Sequence, residues 1–276
     1  MKKKHIVNII IALILLIGLC VLLYPVVAAY FNDRRQTRVV TSALEEVAAL
    51  DPEDMQEFID AAREYNAALL GKQRRFRLSA EDWAEYNALL NIGSGVMGIL
   101  VIDKIDVKLP IYHGTEAAVL QIGLGHIPGS SLPVGGTGTH AFITGHTGLP
   151  STTLLTRLDR MAVGDSFVIH VMGETLTYEV DKIEVVLPHE VESLKIDPDM
   201  DYCTLVTCTP YGINSHRLLV RGRRIENMAE ASVYGADAVQ VDKYRIILIF
   251  IVPVLPLLAI YIILKSRRII KGGVIQ

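Results

Sequence analysis

Two long apolar runs, one near each end of the chain, constrain this sequence more than any other feature. The segment from Ile9 to Ala29 holds no charged residue, and neither does the segment from Ile246 to Leu264. Each is about as long as the ~20-residue helix that crosses the roughly 30 Å hydrocarbon core of a bilayer. Pro253 and Pro256 interrupt the second run, but spanning helices tolerate proline when other groups satisfy the freed carbonyls. We therefore predict two flanking transmembrane helices.

Basic residues beside the two runs predict the orientation of the chain. Lys2, Lys3 and Lys4 precede the first run, and the second is followed by Lys265, Arg267, Arg268 and Lys271. Positive residues are retained on the cytoplasmic side, so we expect both termini in the cytoplasm and residues 31–243 outside the cell membrane. A cleaved signal peptide is the alternative for the first run, because residues 27–29 are small. The run is longer than a signal-peptide core of about 7–15 residues, which favours an uncleaved anchor.

The sequence between the two runs changes character near residue 96. Asp51 and Pro52 mark a helix start, and apolar residues then recur at helical spacing at positions 55, 58, 59, 62, 65 and 69. Beyond residue 96, short β-branched runs alternate with glycine turns, which predicts a mainly β barrel or sandwich. We divide the chain into a start and anchor (1–30), a helical extension (31–95), a β-domain (96–230), a linker (231–243) and a C-terminal span with a basic tail (244–276).

Charge and motif content exclude several classes of function. The formal net charge is −3, and no basic stretch with interleaved aromatic residues occurs in the central region, so we expect no nucleic-acid partner. The histidines and cysteines lack the paired spacing of metal ligands, and no glycine-rich phosphate loop is present. The sequence therefore predicts chemistry without a metal or an organic cofactor.

Two cysteines outside the apolar runs, Cys203 and Cys208, fall in one predicted strand at 202–208. Their odd separation places them on opposite faces and about 16 Å apart at ~3.3 Å per residue, whereas a disulfide needs Cα atoms within about 7 Å. At least one free thiol is therefore predicted in an oxidising compartment. Cys208 closes the strand just before a Pro–Gly turn, where nucleophiles often lie. A small core residue is the alternative interpretation of this cysteine.

Histidine and arginine partners for Cys208 stand in comparable settings. A thiol with the usual pKa near 8.5 is mostly protonated at neutral pH, so a cysteine nucleophile needs a base. His146 lies between glycines in ITGHTG (143–148), directly after a predicted strand. Arg217 begins the strand after Cys208, and a tight turn would bring the two residues side by side, where a guanidinium can donate to an oxyanion. A surface arginine at a strand start is the alternative.

Together these three segments resemble the sortase family. Its nucleophile signature is similar to TLVTCTP (204–210), its histidine motif to ITGH (143–146) and its arginine strand to NSHRLLVRG (214–222), in the same order. Four further features resemble the class C, pilin-polymerising branch of the family. They are the segments LPIYHG (109–114) and SLPVGG (131–136), the two spans and the N-terminal helical extension. The resemblance covers roughly residues 97–225. It implies an eight-stranded sortase-type β-barrel with an N-terminal helical extension.

The resemblance also implies a two-step acyl transfer. Cys208 would attack the Thr–Gly bond of an LPXTG-like sorting signal and form a thioester, His146 would act as general acid and base, and Arg217 would hold the substrate and stabilise the oxyanion. Thr144 and Thr207, beside these residues in the motifs, are assigned to substrate binding. The implied partners are LPXTG-type pilin subunits or surface proteins, the membrane and a cell-wall precursor. The acceptor would be a pilin lysine, or a cell-wall peptide amine in a housekeeping enzyme.

A departure from the class C pattern concerns the lid. Members of that branch usually carry an Asp-Pro-aromatic motif that plugs the site, and RFRLS (75–79) contains none. Asp82 and Trp83 are the nearest approximation, without the proline. Either the lid is degenerate, or Phe76 or Trp83 serves differently. An aromatic residue that packs a helix is the alternative interpretation of Trp83.

Two further alternatives remain on the sequence alone. A sortase-anchored surface protein also ends in an apolar span and a basic tail, but it needs an LPXTG-like signal just before the span, and residues 233–244 contain none. A cysteine peptidase that releases a free acid would carry the same three catalytic residues. The two enzymes differ in whether water or an amine reaches the thioester first.

Overall fold

The computed structural model describes residues 2–72, 74–149, 152–190 and 194–227. Its helices are α1 (Lys2–Ala48), α2 (Pro52–Leu69), α3 (Ala80–Ala88) and the single turn α4 (Ala117–Leu120). Its strands are β1 (Val96–Ile102), β2 (Val107–His113), β3 (Leu124–His126), β4 (Thr139–Thr144), β5 (Ser166–Val171), β6 (Glu174–Val186), β7 (Asp201–Thr209) and β8 (His216–Ile225). The barrel and helices α2 and α3 belong to one compact unit, residues 31–235.

Helix α1 contains the first apolar run. Its segment Leu16–Ala48 is long and apolar enough to cross a membrane, judged by length and composition. Large apolar side chains along the run are exposed, including Val21 at 70% and Leu22 at 68%. Exposed apolar surface of this extent suits lipid better than water. The predicted second span and its basic tail lie outside the described residues.

The eight strands close into a barrel in the order β1-β2-β3-β4-β7-β8-β6-β5. The ring closes where Leu100 of β1 pairs with Ile169 of β5. Two neighbouring pairs, β2 with β3 and β4 with β7, are parallel, and the other pairs are antiparallel. The predicted eight-stranded β-barrel with an N-terminal helical extension is thus confirmed. Closure removes exposed strand edges and leaves loops at the two rims.

The interior of the barrel is a continuous apolar core. Alternate strand residues point inward, as the period of two requires. Fully buried members from successive strands include Leu100, Ile111, Leu124, Ile143, Ile169, Leu205 and Val220. Burial of a Leu, Ile or Val side chain contributes about 1.5–3 kcal/mol. The core therefore gives the strands a fixed register, and that register positions the residues at the rim.

Helices α2 and α3 pack on the outside of the barrel. The predicted apolar stripe of α2 is buried at Ile59, Ala62 and Leu69. A polar residue on that face, Asn66, is also buried, because its amide donates to the carbonyl of Leu132 at 3.0 Å and accepts from the same residue's N–H at 2.7 Å. This two-way bond fixes α2 to the barrel at one position along its length.

Candidate active site

Cys208 is the next-to-last residue of β7, and its side chain is half-buried. The strand ends in a tight turn, in which the N–H groups of Ile213 and Asn214 donate to the carbonyl of Pro210 at 3.1 and 2.9 Å. Strand β8 begins two residues later, so ordered strands flank the turn on both sides. The thiol therefore lies where a rigid strand meets an open loop.

Arg217 lies directly opposite Cys208, because the antiparallel register of β7 and β8 pairs these two residues. The Nη1 group of Arg217 donates to the carbonyl of His216 at 3.1 Å and to that of Asn214 at 3.2 Å. These bonds restrain a long side chain that would otherwise sample many rotamers in solvent. The predicted juxtaposition of the cysteine and the arginine is confirmed, and their chemical roles stay predictions.

His146 follows β4, which lies on the other side of β7. In the parallel register of these strands Thr144 pairs with Val206, and the N–H of Gly145 donates to the Val206 carbonyl at 3.1 Å. His146 is two residues beyond Thr144, and Cys208 is two residues beyond Val206. β4 ends at Thr144, so His146 lies in the loop just beyond β4, whereas Cys208 lies within β7; neighbouring strands are about 4.8 Å apart in a sheet. The cysteine, the arginine and the loop that carries the histidine thus belong to adjacent strand ends at one rim.

The two threonines assigned to substrate binding connect the same strands. The Thr207 hydroxyl donates to the Gly145 carbonyl at 2.8 Å, and its side chain is buried. The Thr144 hydroxyl donates to the Val206 carbonyl at 3.2 Å. Both bonds fix the end of β4 against β7, and hence the height of His146 relative to Cys208. Contact of either threonine with a substrate stays a prediction.

An apolar cluster, which we call the apolar floor, lies next to Cys208 on the outer face of the sheet and consists of Phe142, Val206 and Leu219. Val206 shares the face of β7 that carries Cys208, because alternate residues point to the same side. It forms a separate buried cluster with Phe142 of β4 and Leu219 of β8. Leu194, from the connection between β6 and β7, packs against this cluster. The partly exposed side chains of this cluster, Ile127, Val186 and Leu194, form its apolar surface.

The candidate lid residues occupy three different environments. Phe76 is 39% exposed and lines an open cleft of about 530 Å³ together with Trp83 and Ile127. Trp83 also packs edge-on against Tyr86, with ring centroids 5.8 Å apart. Asp82 accepts bonds from the N–H and hydroxyl of Ser79, so it caps the start of α3. A lid function for these residues stays a prediction.

A hydrogen bond from Arg75 attaches the candidate lid segment, residues 75–79, to the connection between β6 and β7. The half-buried guanidinium of Arg75 donates to the carbonyl of Leu194, the residue that packs on the apolar floor. Arg75 also lies over the Phe76 ring, 4.8 Å from its centroid. Burial lowers the pKa of Arg75 from its ordinary value. Because its partner is a backbone carbonyl far along the chain, no residue type or spacing in the sequence signals the contact.

Cys203, the other cysteine of β7, has a different environment. Its side chain is fully buried in the barrel core, and β4 and β8 pair with it at Ala141 and Gly222. Desolvation, followed by the nearby Asp201 carboxylate, raises the pKa of this thiol well above its ordinary value. A buried neutral thiol is a poor nucleophile, whereas Cys208 is half-buried at the rim, and its role as nucleophile stays a prediction.

A closed barrel with a cysteine, a histidine and an arginine gathered at one rim is the architecture of a barrel-type cysteine enzyme. Comparison with known proteins gives the family. A Sortase domain model matches residues 100–225. Sortase C1 from Streptococcus agalactiae is 44% identical, with a TM-score of 0.67 over 69% of this chain and 100% of that one. Sortase C from Streptococcus pneumoniae is 41% identical, with a TM-score of 0.63 over 70% of this chain and 98% of that one.

A curated relative extends the comparison. Sortase D of Bacillus subtilis (strain 168) is 28% identical over 131 residues, which cover 46% of this chain and 63% of that protein. The chain therefore spans less than two thirds of the length of this relative. From the domain match and the structural neighbours we conclude that the chain belongs to the sortase family of cysteine transpeptidases.

Proposed function

We propose that this protein cleaves an LPXTG-like sorting signal between Thr and Gly and transfers the acyl group to an amine, with Cys208 as nucleophile. The observation that supports this proposal is the strand register, which pairs Cys208 with Arg217, together with the bond from the N–H of Gly145, the residue before His146, to the Val206 carbonyl of β7. Acyl transfer needs a nucleophile, a proton-transfer group and an oxyanion donor within reach of one carbonyl.

Each residue has a defined part in the proposed reaction. The Cys208 sulfur attacks the threonine carbonyl, and the Arg217 guanidinium donates to the oxygen as negative charge develops on it. His146 protonates the departing glycine amine, which leaves the acyl group on sulfur as a thioester. An incoming amine then attacks the thioester, and His146 accepts its proton as the thiolate departs. The two half-reactions restore the enzyme without a cofactor.

The apolar floor supports a sorting signal as the acyl donor. Phe142, Val206 and Leu219 form a buried cluster on the face of the sheet that carries the thiol, and the partly exposed side chains of Ile127, Val186 and Leu194 pack against it. An extended LPXT segment would place its leucine and proline against these partly exposed side chains when its threonine carbonyl reaches Cys208. Burying one leucine side chain contributes about 1.5–3 kcal/mol, enough to discriminate against polar residues at that position.

A pilin lysine is the proposed acceptor, in a membrane-anchored enzyme whose catalytic domain is extracellular. Structural neighbours named sortase C support this choice, and the Streptococcus pneumoniae enzyme is described in terms of pilin substrate specificity. The exposed apolar helix α1 supports the anchor. A housekeeping role, with a cell-wall peptide amine as acceptor, would use the same thioester and differ only in the second step.

The test uses the full-length chain in detergent, an LPXTG peptide and a purified pilin domain, read by intact mass. We expect a thioester adduct on the wild type, no adduct on Cys208→Ala, and transfer of the acyl group to the pilin. A pilin variant whose acceptor lysine is replaced by arginine is the matched control. Transfer only to a cell-wall peptide would replace the pilus role with the housekeeping one. An adduct retained by Cys208→Ala would refute the assigned nucleophile.

A further inference from the structure

A buried polar side chain on α1 contacts the loop that carries His146. Gln36 is 9% exposed, although it lies in a helix whose neighbouring side chains Arg35 and Thr37 are exposed. Its amide Nε2 donates to the hydroxyl of Thr152 at 3.2 Å. The same group lies 3.4 Å from the carbonyl of Ile122. Both partners belong to the barrel unit, so Gln36 connects a helix to the barrel by side-chain bonds.

The histidine loop, which we define as residues 145–149 and 152–158, is closed on itself by hydrogen bonds. The N–H of Leu155 donates to the carbonyl of His146 at 3.3 Å, and the N–H of Gly148 donates to the hydroxyl of Thr156 at 3.1 Å. Leu155 is fully buried, and Thr152 is 3% exposed. Thr152 is therefore three residues from Leu155, whose N–H is bonded to the backbone of His146.

The two ends of the histidine loop have different supports. Gly145 is held by β7, through the bonds to Val206 and from Thr207. The far side of the loop lies beyond the strand and has Gln36 as its side-chain contact at Thr152. A buried polar group that loses its partner costs about 1–3 kcal/mol, so this bond resists being broken. The loop is thereby clamped between β7 and α1.

We propose that Gln36 is a positioning residue for His146. Through Thr152 it holds the far side of the histidine loop and fixes the distance between the imidazole and Cys208. This inference rests on the proposed function, because it assigns the loop a part in proton transfer. Misplacing a catalytic group by about 1 Å can lower the rate roughly 10²-fold, so a single remote bond can have a large effect on catalysis.

The first experiment measures peptide transfer by the full-length chain with Gln36→Leu, Thr152→Val and the double variant. We expect kcat to fall about 10- to 100-fold with KM within about twofold of the wild type, and the double variant to be no worse than either single one. Thr152→Ser keeps the hydroxyl and should retain most of the wild-type kcat. Thr37→Val, on the exposed side of α1, is the matched control.

The opposite results would overturn the inference. Additive losses in the double variant would mean that Gln36 and Thr152 act independently. A lower melting temperature with an unchanged kcat at 25 °C would give Gln36 a purely structural role. An equal loss in Thr37→Val would show that any change in α1 disturbs the enzyme.

A second readout separates this inference from the proposed function. Alkylation of Cys208 by iodoacetamide, followed by peptide mass across pH 5–9, needs no sorting signal. We expect the pH profile of Gln36→Leu to move from that of the wild type toward that of His146→Ala. A wild-type profile in Gln36→Leu would overturn the positioning role and leave the transpeptidase intact. If His146→Ala itself leaves the profile unchanged, His146 does not act on Cys208 and both proposals fail.

Discussion

At the scale of single residues, the two cysteines of β7 show how register separates a core side chain from one at the rim. Each has a threonine beside it, Thr204 and Thr207, yet Cys203 is fully buried and Cys208 is half-buried at the rim. The odd separation was sufficient to predict their opposite faces. It was not sufficient to predict the raised pKa of Cys203, which depends on burial and on the nearby Asp201.

We expect Cys203→Ala to retain most of the transfer activity. The substitution removes a buried sulfur from the core and should lower the free energy of unfolding by about 1 kcal/mol, without touching the rim. The measurement is the amount of acyl adduct by intact mass, alongside urea unfolding. Cys208→Ala is the paired variant and should form no adduct. Loss of the adduct in Cys203→Ala, with folding intact, would mean that the assigned strand register is wrong.

Arg217 yields a second prediction at this scale. Arg217→Lys keeps the charge but removes the planar fork of donors, so we expect kcat/KM to fall by about 10²-fold or more, mainly in kcat. Arg223→Lys is the control, because Arg223 lies on the same strand and is exposed at 51% of its side chain, far from the rim. Steady-state peptide transfer measures both variants. Equal activity of Arg217→Lys and Arg223→Lys would show that Arg217 takes no part in catalysis.

At the scale of secondary-structure elements, local patterns were predictable and distant contacts were not. The β7–β8 hairpin was predicted because its turn and both strands are contiguous in sequence. Strand β3, Leu124–His126, has too few residues to show a period of two, so the sequence pattern does not indicate it. The sequence pattern between 41 and 70 predicts two short helices, whereas its first part is the end of α1. Long-range bonds such as Gln36 to Thr152 leave no periodicity at all.

Helix α3 is attached to the barrel by a buried polar network centred on His126. The Nε2 of His126 lies 2.8 Å from the Ser131 carbonyl, which can only accept, so Nε2 carries the proton of the neutral ring. The other nitrogen, Nδ1, lies 3.0 Å from the hydroxyl of Tyr86, which also donates to the His126 carbonyl at 3.2 Å. The same hydroxyl accepts from the N–H of Gly114 at 3.0 Å. Full burial of the ring favours its neutral form.

The network predicts a loss of stability in mild acid. Desolvation, with a smaller contribution from His113, lowers the pKa of His126 to about 4. Because the unfolded chain takes up a proton near pH 6.5 and the folded chain does not, stability is fully present above that pH and falls as the pH drops toward 4. At pH 5 the protonation of this one group in the unfolded chain should lower the free energy of unfolding by roughly 2 kcal/mol.

Urea unfolding at pH 7.5 and pH 5 measures the effect. His126→Gln should be destabilised at pH 7.5, and its stability should change less between the two pH values than that of the wild type. His189→Gln, at an exposed position, is the matched control and should keep the wild-type difference. A wild-type pH dependence in His126→Gln would show that other groups, such as His140 with its pKa also lowered to about 4, account for the whole effect.

At the scale of the whole molecule, the proposed chemistry requires the site and its substrates on the same side of the membrane. An LPXTG-type protein and a pilin subunit both lie outside the cell, so the barrel must follow an N-terminal anchor inserted with its basic end inward. Lys2, Lys3 and Lys4 are the residues that favour this orientation. Helix α1 is long and apolar enough to serve as that anchor.

This topology predicts a specific pattern of protease protection. In protoplasts of a cell that expresses the chain with an N-terminal epitope tag, external trypsin should digest the barrel and leave a small tagged fragment intact. Loss of the tag under the same treatment would indicate the opposite orientation. A mature chain that lacks the tag before any protease is added would indicate a cleaved signal peptide. Replacing Lys2, Lys3 and Lys4 by glutamine should weaken the preference of the N-terminus for the cytoplasmic side, because positive residues are retained on that side. The fraction of tag that external trypsin digests should therefore increase.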